Sequence, residues 1–250
     1  MSHWGKNFAL NIIIIYKLNL IPVSLFRDYN NHIKISIIKR SQVTNFIGPI
    51  NIDMLSIIYG SLLGDAHAEK RKNGKGTRIS FYQESSHDNY LLWLHSIIAN
   101  LSYCNTNLPK IHTRLGSKGK IRKYIRFHTW TYINFNSIYE NWYKNNKKII
   151  PKDIEQYLTP LALAIWIMDN GCKVGSGLKI ATHSFNYSDL IFLIFLLNKK
   201  FNLKASIHSD GRSKYNQYVI YIWTESMPNL VKIIKPYMNA SMLYKLGKYI

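Results

Sequence analysis

The stretch that most constrains this chain is Ile57-Ile58-Tyr59-Gly60-Ser61-Leu62-Leu63-Gly64-Asp65-Ala66. Gly60 and Gly64 stand four apart, so on a helix they share one face and leave a strip of bare backbone along it. Small residues at that spacing let a second helix approach unusually closely. Asp65 closes the run, where a carboxylate emerges from the end of the packed helix. The pattern returns as Leu161-Ala162-Leu163-Ala164-Ile165-Trp166-Ile167-Met168-Asp169-Asn170-Gly171, again an apolar run with small residues that ends in an acid and a glycine. Two such helices side by side bring two acidic ends together, which is the outline of a metal site.

After each run the same order of elements follows. Thr77–Glu84 alternates as a strand, with Ile79 and Phe81 on one face and Arg78, Ser80 and Tyr82 on the other. Ser85 and Ser86 are candidate N-caps for an amphipathic helix through Leu101, with Tyr90, Leu91, Leu94, Ile97 and Ile98 inward. Lys110–Leu115 and Ile121–Thr129 flank a glycine-containing basic turn and read as a hairpin. In its second strand Ile121, Ile125 and Phe127 share one face, while Arg122, Tyr124, Arg126 and His128 share the other. A basic, aromatic strand face opposite an apolar one suits a sheet laid in a DNA groove. A short helix is predicted over Ser137–Asn146 and a connection over Lys147–Pro160. The second round runs through a strand over 178–183, a helix over 186–201, a hairpin of 204–209 with 217–223, and a last helix through Leu230, Ile233 and Ile234. Residues 1–50 stand outside this scheme as an N-terminal extension.

Charge narrows the partner. Against 13 Asp and Glu stand 33 Lys and Arg, a formal net charge of +20 on a chain that is 47% hydrophobic. That excess on a globular composition points to a polyanion, with 18 Tyr and 6 Trp among the basic residues favouring nucleic acid over an anionic membrane surface. The apolar segment from Leu10 to Phe26 is broken by Asn11, Lys17, Asn19 and Pro22, short of the ~18–20 clean residues a membrane span needs. Cys104 and Cys172 are isolated and read as small buried residues, and the His residues show no zinc-ligand spacing.

The two runs resemble the paired motif helices of single-chain LAGLIDADG homing endonucleases, in the subfamily typified by the omega-intron endonuclease. Asn145-Asn146-Lys147-Lys148, Ile150-Pro151, and Tyr157-Leu158-Thr159-Pro160 leading into Trp166 and Met168 resemble its linker and second motif. Met242-Leu243-Tyr244-Lys245-Leu246 resembles its C-terminal lysine segment. The resemblance spans roughly residues 50–250, more specific than a lone motif. It implies an α+β fold of two pseudo-symmetric αββαββα halves, with saddle-shaped antiparallel sheets over DNA. The first half is residues 51–146, the linker 147–160 and the second half 161–250.

The implied activity is that of an intron-encoded, site-specific double-strand DNA endonuclease. It acts as a monomer on a DNA target site and uses Mg²⁺, or Mn²⁺, to promote intron homing. Heavy use of Ile, Asn, Lys and Tyr suits an AT-rich, organelle-encoded origin, mitochondrial before chloroplast. Two rivals share the scaffold: an RNA maturase that helps its host group I intron splice, with intron RNA as partner, and a DNA-binding regulator. The implied catalytic residues are Asp65, Asp169, Asn170, Lys148 and Lys245, the first three as metal ligands. Candidate DNA contacts are Arg71, Lys75, Arg78, Lys120, Arg122, Tyr124, Arg126, Lys173, Lys179, Arg212 and Lys214.

One departure matters. Aligning Gly171 with the family's terminal glycine puts Asn170, not Asp169, at the ligand position. Asn offers a neutral carbonyl oxygen and no charge. Three outcomes stay open: Asp169 serves as ligand, the second site is weakened toward a strand-biased nickase, or cleavage is lost and binding remains. His67 is either a water-positioning or DNA-contacting group or an ordinary polar loop residue.

Overall fold

The computed structural model describes residues 50–70, 74–116, 119–211 and 217–250. Arg71, Arg212 and Lys214, like the extension before residue 50, lie outside the described residues. The two glycine-bearing runs are helices: α1 (Ile52–Leu63) and a partner treated below. Asn51 caps α1, its side chain accepting from the backbone N–H of Asp53 at 2.7 Å and of Met54 at 3.3 Å. The first half continues with β1 (His67–Lys70), β2 (Thr77–Glu84), α2 (Asp88–Asn100), β3 (Ile111–Leu115), β4 (Ile121–His128) and α3 (Asn136–Trp142).

The chain then makes a two-stranded ribbon, β5 (Tyr143–Lys144) and β6 (Lys147–Lys148), followed by a single turn, α4 (Ile154–Tyr157). The second half repeats the order: α5 (Pro160–Asn170), β7 (Gly171–Val174), β8 (Gly177–Ala181), α6 (Tyr187–Phe201), β9 (Ala205–Ser209), β10 (Tyr218–Ile222) and α7 (Met227–Ile234). A 3₁₀ segment over Ala240–Tyr249 follows. The two four-stranded sheets have the same order, β1-β2-β4-β3 and β7-β8-β10-β9, and every pairing is antiparallel. The αββαββα duplication expected from the sequence is therefore the observed one.

The two motif helices form the spine. All eight residues from Leu161 to Met168 are buried, as are Ile57, Ile58, Tyr59, Leu62 and Leu63 of α1. Helices apolar on every side belong in the middle of a fold. Thr159 caps α5 through the N–H of Ala162 at 3.2 Å, and Pro160 fills the first turn, where its missing N–H costs nothing. Trp166 is core, with no exposure. At the crossing, a Cβ added to Gly60 would lie 2.4 Å from the carbonyl oxygen of Ala162, so the backbones touch and only glycine fits.

Four local expectations are corrected. Neither Ser85 nor Ser86 caps α2: a 3₁₀ turn over Ser85–His87 leads in, and His87 takes the cap position without a side-chain bond. Ile121 does not join Ile125 and Phe127 in the core but is 67% exposed, because it pairs with Leu115, itself 77% exposed, at the turn end of the β3–β4 hairpin. The short helix stops at Trp142. Residues 143–148 are instead the ribbon, whose turn residues Asn145 and Asn146 have φ of 50° and 61°. Two successive positive φ values make a tight hairpin turn, and Asn tolerates them. Cys172 is exposed, whereas Cys104 is buried as expected.

Candidate active site

α1 and α5 run toward the same end of the fold and deliver Asp65 and Asp169 together. The backbone N–H of Asp65 donates to Asp169 Oδ2 at 3.3 Å. Gly64 makes this possible, since a Cβ there would lie 2.3 Å from the same carboxylate oxygen. Asp169 thus turns across the interface into the first half. Its Oδ1 accepts from Tyr90 Oη at 2.8 Å and from Gln83 Nε2 at 3.3 Å. Gln83 Nε2 also donates to Asp65 Oδ2 at 2.7 Å, so one amide bridges the two acids.

The bridge is itself held. With its nitrogen facing two carboxylates, Gln83 must present Oε1 to His87 Nδ1, 3.3 Å away. That makes His87 the Nδ1–H tautomer and leaves Nε2 to accept from Tyr244 Oη at 3.5 Å. Burial, with Lys245 nearby, keeps the His87 imidazole below its usual pKa, in keeping with a neutral ring. Neither Gln83 nor His87 was a candidate from the sequence, but Gln83 carried a signal. It follows Ile79 and Phe81 on the inward face of β2 and is 6% exposed, a polar residue where the pattern calls for an apolar one.

Lys148 and Lys245 occupy matching places. Lys148 Nζ donates to the carbonyls of Leu62 and Ala66 at 2.9 and 2.8 Å, at the end of α1. Lys245 Nζ donates to the carbonyls of Ile167 at 3.4 Å, Asp169 at 3.2 Å and Met168, at the end of α5. The last carbonyls of a helix lack intrahelical partners and carry its negative end, so each ammonium satisfies its own half's motif helix. The ribbon turn aims Lys148, and the 3₁₀ segment aims Lys245. Among the described residues neither lysine is ion-paired to a carboxylate.

Burial dominates the electrostatics of this cluster. It pushes the Asp169 carboxyl up to about 8, with the Asp65 charge adding to it and the Tyr90, Asp65 N–H and Lys245 contacts opposing. Asp65 is also raised by burial, against the Gln83 hydrogen bond and the charges of Lys245 and Lys148. Lys148 is brought down to about 8 by burial, against the pull of both acids. Lys245 is lowered for the same reason. Burial thus works against the charged form of all four groups, and the opposite charges of acids and ammonium groups offset part of it.

Asn170 stands where Asp65 stands in the first half, and its Oδ1 is buried without a hydrogen-bond partner. The halves differ again at Gln83. The registers His67↔Ser80 and Cys172↔Lys179 make Ser80 and Lys179 counterparts, so Thr182 answers Gln83. Thr182 Oγ1 is occupied with the carbonyl of Tyr218 at 2.8 Å.

The expected DNA contacts fall into groups. Arg78, Arg122, Tyr124 and Arg126 share the outer face of the first sheet, as the alternation predicts. Lys75 and Lys120 are exposed in the turns before β2 and β4. Lys179 lies on the outer face of the second sheet, opposite Cys172 and Tyr221. Lys173 does not share that face: it pairs with the fully buried Leu178 and packs against Gly247. His67 is on β1, not in a loop, with Nε2 2.8 Å from Glu69 Oε1.

This pair of helices and sheets places the chain in the LAGLIDADG DNA endonuclease family, whose sequence model matches residues 55–230. The chain belongs to that family. It is 49% identical over 286 residues to cytochrome b mRNA maturase bI2 of Saccharomyces cerevisiae, a match covering all of this chain and 67% of the relative. It is 57% identical over 212 residues to the protein of the same name from Debaryomyces hansenii, covering 85% of this chain and 80% of the relative. Among solved structures, the homing endonuclease I-WcaI bound to its DNA recognition sequence superposes with a TM-score of 0.72 at 25% identity, over 88% of this chain and 96% of that one. No helix among the described residues is long and apolar enough to cross a membrane.

Proposed function

We propose that this chain is an intron-encoded endonuclease that cuts both strands of a specific DNA duplex, at unequal rates. The observation that carries this reading is Asp65, held by Gln83 at the end of one motif helix against its partner, between two sheets of identical topology.

The donor set suits Mg²⁺ or Mn²⁺. It is all oxygen, and the unpartnered amide oxygen of Asn170 is what a cation or its water would satisfy. Among the described residues there is no cluster of three or more His, Cys, Asp or Glu to hold an ion by protein ligands alone. A Mg²⁺ site of one or two protein oxygens completed by phosphate and water needs none. Asp65 and Asn170 would hold it, and when bound it polarises the phosphodiester and makes water more acidic.

The chain's own residues do the rest. Gln83 fixes Asp65, and His87 fixes Gln83. Asp169 acts as a positioning residue, because its oxygens are committed to Tyr90, Gln83 and the Asp65 N–H. Lys148 and Lys245 bring positive charge to the helix ends, where it offsets charge developing on the phosphate. The half with Asn170 and Thr182 lacks the anionic ligand and the glutamine of the other, hence the unequal rates.

A second reading, an RNA maturase for the host intron, is supported by the names of the two cytochrome b relatives and by the missing acid at position 170. Those relatives also support an organelle-encoded origin, mitochondrial in this reading. Splicing of the intron that encodes the chain, and Mg²⁺-dependent cleavage of the joined exons, should be assayed with the same preparation. Cleavage of the exon duplex supports the endonuclease. Stimulated splicing with no cleavage by either wild type or Asn170→Asp replaces it with the maturase.

A further inference from the structure

The outer faces of the two sheets carry different chemistry although their topology is the same. On the first sheet, cross-strand register puts Arg78, Arg114, Arg122 and Arg126 on one face. They are held in place. Arg78 donates from Nε to Glu69 Oε2 at 2.7 Å, with its second nitrogen at 2.6 Å. Arg122 lies 3.0 Å and Arg114 3.6 Å from the same oxygen of Glu84. The guanidinium of Arg114 sits 5.4 Å from the Tyr82 ring centroid and that of Arg126 5.8 Å from the Tyr124 centroid. Arg126 is exposed and, among the described residues, has no acidic partner.

On the second sheet the corresponding face is nearly uncharged. Its described strands present Cys172, Val174, Lys179, Ala181, His208 and Tyr221, with no arginine, while Val219 of the same register is buried. Trp223, 42% exposed, continues the face beyond β10 and donates from Nε1 to Ser206 Oγ at 2.9 Å. Gly177 lets Tyr221 lie flat over the strand, since a Cβ there would sit 2.2 Å from its hydroxyl.

Resting on the DNA-binding reading above, we propose that the two halves read their half-sites by different means. The first sheet selects guanines through its arginines, and the second favours an A·T-rich half-site through methyl and shape contacts. A guanidinium fork matches the O6 and N7 acceptors of guanine in the major groove. Arginines already fixed by Glu69, Glu84 and the tyrosine rings present that fork at low entropic cost. A face of small, apolar and aromatic side chains suits the thymine methyl, and among its described residues Lys179 is the one cation it offers guanine, against four guanidinium forks on the first sheet.

The test is selection of binding sites by the full chain from a randomised duplex library, with chelator present so that no cleavage intervenes. The expected result is guanine preference concentrated on one side of the site's centre. Arg126→Ala should then lose about 10-fold or more discrimination at one guanine on that side and leave the other side intact. Arg126→Lys keeps the charge without the fork, so it should lose the same discrimination while keeping the salt dependence of binding. Guanine preference shared equally by both sides, or retained in Arg126→Lys, overturns the proposal and leaves the DNA-binding reading standing. Recovery of no preferred duplex, with tight binding to intron RNA instead, overturns both.

Discussion

Replacing Gly60 by alanine tests the helix crossing on which the site depends. The new Cβ would lie 2.4 Å from the Ala162 carbonyl oxygen, 2.9 Å from its Cα and 3.0 Å from its carbonyl carbon. All three are backbone atoms, so no rotamer change can make room and the helices must separate. Overpacking of this kind costs about 1–3 kcal/mol, and backbone on the opposing side puts Gly60→Ala at the upper end. Alanine regains about 1 kcal/mol in helix propensity, leaving a net loss of about 2 kcal/mol. The displacement also reaches Asp65, five residues on, and a misplacement near 1 Å costs about 100-fold in rate. Urea unfolding should show a lower midpoint with an unchanged slope. Adding Ala162→Gly should not restore it, because the clash is with the main chain. A Gly60→Ala protein as stable as wild type, or one rescued by Ala162→Gly, would refute the close backbone contact.

Other outcomes follow from the same geometry. Lys148→Met leaves the carbonyls of Leu62 and Ala66 without their ammonium donor, so unfolding free energy should fall by about 1–3 kcal/mol, measured by chemical denaturation. Burial raises the Cys104 thiol to about 12; far below that pH it holds its proton, so a thiol reagent at pH 8 should modify Cys172 alone until the protein is unfolded. Burial raises Glu69, but the hydrogen bond and charge of Arg78 outweigh it and hold the carboxyl below its usual value. A depressed acid stabilises above its unfolded pKa and loses that contribution as pH falls through the folded one. Wild type should therefore lose more stability on acidification below the ordinary glutamate pKa than Glu69→Gln does.

The spine of the fold was legible because its constraint is local. Gly60 and Gly64 fix a face by spacing alone, and the return of small residues before Asp169 announces a partner. The alternation in β2 and β4 likewise placed Arg78, Arg122, Tyr124 and Arg126 on one surface. What stayed hidden depends on angle or on distance along the chain. Asp169 and Asn170 differ by one position, about 100° around a helix, and spacing alone could not say which turns into the first half. The space left by Gly64 decides it.

The ribbon over 143–148 is hidden in the sequence because Tyr139, Trp142 and Tyr143 keep a helical spacing up to its start. The paired asparagines at positive φ were the available cue. β1 and β7 are four residues each, too short for alternation to stand out beside basic and glycine-rich turns. His87 and Tyr244 meet 157 positions apart in sequence, and no local pattern connects them.

The measurement closest to the central claim is single-turnover cleavage of the exon-junction duplex in Mg²⁺, with each strand separately end-labelled. It should be run on wild type, Asp65→Asn and Asn170→Asp, with binding measured in parallel. The account expects both strands to be cut by wild type at unequal rates. Asp65→Asn should abolish cutting with binding retained, and Asn170→Asp should bring the two rates together. Undiminished cleavage by Asp65→Asn would contradict it.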